Sequence, residues 1–123
     1  MKNIDVTWRL FSVYILIIIF MLLGSSAFSQ IVVRYFNAEW NKANEVEWCH
    51  TEKKGLDDCK VKYIDIGKNP ELQKKYEVVV VPTIIIFNNG EEVKRFQADL
   101  SFKMVATREE VQEEIDEQLM SDF

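Results

Sequence analysis

Val78-Val79-Val80-Val81-Pro82-Thr83-Ile84-Ile85-Ile86-Phe87, closed by Asn88-Asn89-Gly90, constrains this chain more than any other stretch. β-Branched and aromatic residues at this density read as a strand buried on both faces. Proline has no N–H to give to a ladder, so Pro82 belongs at or just before the first residue of that strand. Asn88-Asn89-Gly90 supplies residues that tolerate positive φ, and residues 91–97 then read as the return strand of a hairpin. The core is expected to be a sheet with residues 84–87 near its middle.

The 123 residues allow one domain. The first 29 are unlike the rest. Lys2 and Arg9 give a positive start, residues 10–23 form a 14-residue charge-free apolar run, and small residues from Gly24 to Ser29 follow. Ala27 and Ser29 are spaced as at a signal-peptidase site before Gln30, which is the three-part pattern of a secretory signal peptide. The rival reading is an uncleaved membrane anchor; a spanning helix wants about 20 apolar residues. Either way residues 1–29 are set apart from a folded domain at 30–123, and export to the periplasm or the cell exterior is expected. A membrane becomes a partner only if residues 1–29 are retained.

Charge narrows the partners. Without Lys2, Arg9 and Asp5, the totals of 15 basic and 20 acidic residues become 13 and 19. Phosphate backbones need a basic face, so nucleic acid is not expected. The sequence carries no phosphate loop, nucleophile–base pair or metal motif, so no cofactor is expected. Cys49, His50, Asp57, Asp58 and Cys59 lack the paired short spacing of a zinc site.

In order, residues 31–36 read as an internal strand. Asn41 can cap a helix running to about Lys53, with Val46, Trp48 and Cys49 on its buried side and Gly55 at its end. Residues 61–66 alternate as a second strand. Asn69-Pro70-Glu71 is a helix start: a capping residue, a proline at the first position and an acid in the first turn. After the hairpin, Thr107-Arg108-Glu109-Glu110 has capping-box spacing, and Val111, Ile115 and Leu119 form one apolar stripe of a last helix. Its acidic face reads as solvated. A right-handed crossover sets the first two strands parallel. The expected class is therefore α/β: a four-stranded mixed sheet, order 61–66, 31–36, 83–87, 91–97, with helices on both faces.

That order resembles the minimal thioredoxin fold, and the residues agree. Phe36-Asn37-Ala38-Glu39-Trp40 resembles the approach to a thioredoxin active site. Ile64-Asp65-Ile66, Asn69-Pro70-Glu71-Leu72 and Lys75-Tyr76 resemble the second strand and following helix. Val81-Pro82-Thr83-Ile84-Ile85-Ile86-Phe87 resembles the family's cis-proline strand. The family's extra strand and helix before Ile31 have no counterpart here. The resemblance implies two thiols in Trp-Cys-x-x-Cys at a helix N-terminus, where the dipole and free N–H groups stabilise a thiolate. This chain has Trp40-Asn41-Lys42-Ala43-Asn44 in that place, and Tyr35 where the family has a buried acid. Asparagine cannot exchange disulfides, so the implied chemistry is not expected. The implied peptide groove, with Trp40, Asn41, Asn44, Val81 and Pro82 as its candidate residues, does not require the thiols.

Cys49 and Cys59 are too far apart in sequence for the redox motif. They can be a structural disulfide, worth about 2–3 kcal/mol through the unfolded state, or two separate buried thiols. Two functions stand at this point. One is an exported module without catalysis that binds a protein or peptide. The other is an atypical thiol–disulfide oxidoreductase that uses Cys49 and Cys59.

Overall fold

The computed structural model describes residues 30–49 and 55–121. Residues 1–29, expected to be a signal peptide or an anchor, and His50 lie outside the described residues. Strand β1 is Ile31–Asn37, β2 is Lys60–Asp65, β3 is Thr83–Asn88 and β4 is Glu91–Gln97, in one sheet of order β2-β1-β3-β4. β1 pairs parallel with β2 and antiparallel with β3, and β3 pairs antiparallel with β4. This is the expected mixed sheet.

Alternation along the two central strands divides the core. Val33, Tyr35, Ile84 and Ile86 point to one face and are covered by Val46, Cys49, Val111 and Ile115. Phe36, Ile85 and Phe87 point to the other face, under Val78, Leu72 and Tyr76. Ile84, Ile85 and Ile86 are all fully buried, which explains why the strand reads as an unbroken apolar run rather than an alternating one. Each such side chain contributes about 1.5–3 kcal/mol of burial.

Helix α1, Pro70–Lys75, lies on the second face, and helix α2, Arg108–Ser121, on the first. The hairpin turn carries Asn89 at φ 52° and Gly90 at φ 88°, the positive angles that asparagine and glycine accept. A bulge between Ile86 and Phe87 shifts the β3–β4 register. One half of the capping box forms: the Thr107 hydroxyl accepts from the Glu110 N–H at 3.2 Å, while the Glu110 carboxylate accepts from that hydroxyl at 3.3 Å rather than from the Thr107 N–H. The N–H of Val111 also bonds the Thr107 carbonyl.

Two expectations are corrected. Over the described residues 41–49, the helix expected to run to about Lys53 is instead a 3-10 stretch at Glu39–Asn44 and a 3-10 turn at Glu47–Cys49, with Glu45 extended between them; residues 50–53 lie outside the described ones. Asn41 departs from helical geometry at φ −107°, ψ 20°, because its side chain is committed to partners outside the turn. Gly55 packs closely on the Trp48 backbone, and its expected place at a helix end falls against residues 50–54, outside the described ones. A Cβ there would lie 1.8 Å from the Trp48 carbonyl oxygen, so only glycine permits that close approach. Asn69 does not cap α1 with its side chain but donates to the Asp65 carbonyl at 3.1 Å.

Candidate functional site

The C-terminal end of β1 turns sharply at Ala38 and delivers Trp40, Asn41 and Asn44 to the end of the sheet where the Val80–Thr83 segment begins β3. The Val81–Pro82 peptide bond is cis. Thr83 donates its hydroxyl to the Val80 carbonyl at 2.6 Å, and the Pro82 carbonyl accepts from the Ala98 N–H at 3.0 Å. The loop is thereby tied to the segment that follows β4.

Asn41 is the hub of this site. It is 4% exposed. Its amide nitrogen lies 3.2 Å from the Asn37 side-chain oxygen, 3.1 Å from the Phe102 carbonyl and 3.4 Å from the Val81 carbonyl. Two N–H groups thus serve three acceptors from β1, the cis-proline loop and the 98–106 link. The Asn41 side-chain oxygen accepts from the Asn44 amide at 2.9 Å. The expected role of Asn41 as a helix cap is therefore corrected: the 3-10 stretch has Ala38 at its cap position and no side-chain cap bond.

The chain of amides continues inward. Asn37 donates to the Tyr35 hydroxyl at 3.1 Å, and that hydroxyl also accepts from the Val46 N–H at 2.8 Å. Tyr35 is fully buried, and burial is the main reason its pKa rises to about 12. At neutral pH it is a phenol that anchors the turn and cannot act as a base for a neighbouring thiol. Sequence reasoning placed Tyr35, Asn41 and Asn44 but missed Asn37 and the Phe102 carbonyl. The only available signal was an asparagine at position 37 amid an otherwise apolar strand end, because buried amides are retained where they find partners.

The outer surface of the site is apolar. Trp40 is 66% exposed and meets the ring of Phe102 edge-on, with centroids 5.1 Å apart. Phe102 sits at φ 61° in a tight turn whose Asp99 carboxylate accepts from the N–H groups of Ser101 and Lys103 and from the Ser101 hydroxyl. Those bonds hold the Asp99 carboxyl below its usual pKa. Leu100 and Val105 are also exposed. Of the groove residues expected from the sequence, Trp40 is exposed, whereas Val81 and Pro82 are buried.

Cys49 and Cys59 are free thiols here, not the structural disulfide held open from the sequence. Cys49 is fully buried in the first-face core and Cys59 packs against the same cluster. Burial, then the negative potential of Cys59, pushes the Cys49 thiol to about 12. Burial, then Asp58 and Asp57, pushes Cys59 to about 11. A thiolate is the attacking species in exchange, and these surroundings suppress it. Neither cysteine faces the cis-proline loop. Among the described residues no group of three or more His, Cys, Asp or Glu could hold a metal ion. No described helix is long and apolar enough to cross a membrane.

Comparison with known proteins agrees with this architecture. The thioredoxin family model matches residues 26–115. Monothiol glutaredoxin-4 of Saccharomyces cerevisiae is 28% identical over 78 residues, covering 60% of this chain and 32% of its own length. A thioredoxin of Mycobacterium bovis is 42% identical over 38 residues, covering 31% of this chain and 33% of its own. The chain thus spans about a third of the length of these relatives. Among solved structures, a mutant thioredoxin from Halobacterium salinarum superposes with a TM-score of 0.59 at 24% identity, over 73% of this chain and 75% of the other. Thioredoxin 1 from Thermosipho africanus gives 0.54 at 24% identity, over 73% and 96%. Sheet order and the extent of the family match converge: this chain belongs to the thioredoxin family.

Proposed function

We propose that the chain is an exported thioredoxin-family domain that works without a dithiol and binds an extended protein or peptide segment at the surface formed by Trp40, Phe102 and the Val81–Pro82 loop. The observation that carries this reading is the Asn41 side chain. Where the resemblance implies a reactive sulfur, this chain has an amide whose nitrogen is committed to Asn37, Val81 and Phe102. Such a residue holds a surface in shape and supplies no electrons.

An exposed tryptophan backed by a second ring, on a rigid turn, suits an apolar anchor from a partner. The Val80, Val81 and Pro82 carbonyls of the loop are already engaged by Thr83, Asn41 and Ala98, so a segment lying alongside is left the N–H groups of Val80 and Val81. The acidic excess of the chain makes nucleic acid an unsuitable ligand.

Two measurements test the proposal. The domain starting at Gln30 is expected to show no turnover in insulin reduction; turnover abolished by Cys49→Ser would establish the oxidoreductase reading instead. A panel of extended, apolar-rich peptides is expected to include binders whose affinity falls about tenfold in Trp40→Ala. An N-terminus at Gln30, read by intact mass from the native compartment, would support export with cleavage.

A further inference from the structure

On the face of the sheet away from Cys49, one row of residues runs across all four strands in register: Lys62 on β2, Arg34 on β1, Ile85 on β3 and Arg95 on β4. Two of the three cations are treated differently. Arg95 is fully engaged, donating to the Glu92 carboxylate at 2.8 and 3.2 Å and to the carbonyls of Tyr76 and Glu77 at 2.7 and 2.9 Å. Arg34 has no hydrogen bond or ion pair to any described residue, and its Nε is buried without a partner.

Arg34 is nonetheless held in place. Its guanidinium carbon lies 5.0 Å from the centre of the Tyr76 ring and 5.2 Å from that of Phe87, and those two rings meet edge-on at 5.6 Å. Aromatic rings orient a guanidinium but do not neutralise it. Its neighbour in register is Lys62, and strands pair at about 4.8 Å, so two like charges stand side by side on one face. Like charges directly opposite destabilise a sheet. A third cation, Lys75 Nζ, lies 5.4 Å from the centre of the same Tyr76 ring. Glu92, the carboxylate on this face nearest in the ladder, is already taken by Arg95.

We propose that Arg34, with Lys62 and Lys75, forms a binding site for a phosphate group, seated on the outer side of the Tyr76–Phe87 pair. The planar fork of an arginine suits a tetrahedral oxyanion, and a dianion offsets the paired positive charge that the fold leaves standing. The site lies on the opposite side of β1 from Cys49 and shares no residue with the Trp40–Pro82 surface, so it stands or falls independently of peptide binding.

The test is titration of the purified protein with inorganic phosphate at constant ionic strength, followed by heteronuclear NMR shifts and by calorimetry, with acetate as the monoanionic control. Wild type is expected to show saturable phosphate binding centred on Arg34, Lys62 and Tyr76, with acetate much weaker. Arg34→Met keeps the apolar stem under the rings and is expected to weaken phosphate at least tenfold. Lys62→Met, a substitution at an exposed position, is expected to weaken it several-fold and remains informative if the Arg34 variant does not fold. No saturable binding in wild type, or an unchanged affinity in Lys62→Met, would overturn the proposal.

Discussion

Asn41 illustrates how much one buried side chain can hold. Its amide joins β1, the cis-proline loop and the Phe102 turn, so Asn41→Ala leaves two carbonyls and the Asn37 oxygen short of a donor. Unsatisfied buried polar groups cost about 1–3 kcal/mol each. The expected outcome is a loss of about 2–3 kcal/mol in urea denaturation, together with loss of the Trp40–Phe102 ring contact by NMR. Trp40→Ala makes a useful contrast. Its ring is largely exposed, so stability is expected to change by less than about 1 kcal/mol while peptide affinity falls.

The thiols carry a pH signature. Cys49 and Cys59 rise from an ordinary 9.0 to about 12 and about 11 in the fold, and Tyr35 rises from 10.0 to about 12. A raised folded pKa favours the protonated, folded form. Its contribution is complete below the unfolded pKa and is lost as pH climbs toward the folded one. Stability is therefore expected to be flat with respect to these groups up to about pH 9 and then to decline. Between pH 9 and 11 both cysteines steepen the decline, Cys49 more than the partly exposed Cys59. Urea midpoints at pH 7, 9 and 10.5 check this, and Cys49→Ala is expected to flatten the alkaline limb.

At the scale of elements, the strands and α2 were legible because their signals are redundant. Periodicity, a capping box and the turn Asn89-Gly90 agree with one another, and the observed bounds differ by a residue or so. Thr107→Ala is expected to cost about 1 kcal/mol, read from thermal unfolding with the α2 helical signal. The segment after Trp40 was misread for a physical reason. Asn41 in isolation is a good helix cap, and nothing in its neighbourhood announces that Val81 and Phe102, 40 and 61 positions away, will claim its amide. Long-range bonds overrule local preference here.

For the molecule as a whole, the sheet order followed from element order alone, because short connections and right-handed crossovers leave few alternatives. The division of labour among polar groups was not legible. Arg34 in a strand of apolar residues could have been paired, solvated or, as observed, held against the Tyr76 and Phe87 rings. The distinction rests on which residues of α1 and β4 arrive nearby. Charge counts are likewise silent on placement, since an acidic chain can still gather Arg34, Lys62 and Lys75 on one face.

The outer margin of this sheet also shapes how the protein behaves in a crowded compartment. Among the described residues β2 pairs only with β1, and an unpaired strand side is a natural template for unwanted polymerisation. Lys60 and Lys62 stand on that margin, both exposed, and any second chain attempting to extend the ladder must bring its backbone against them. Lysines on a bare margin are a standard safeguard against amyloid-like growth. Replacing both with valine is expected to leave the monomer folded yet shorten the lag of thioflavin-positive fibril formation, whereas substituting glutamate for both should leave that lag long.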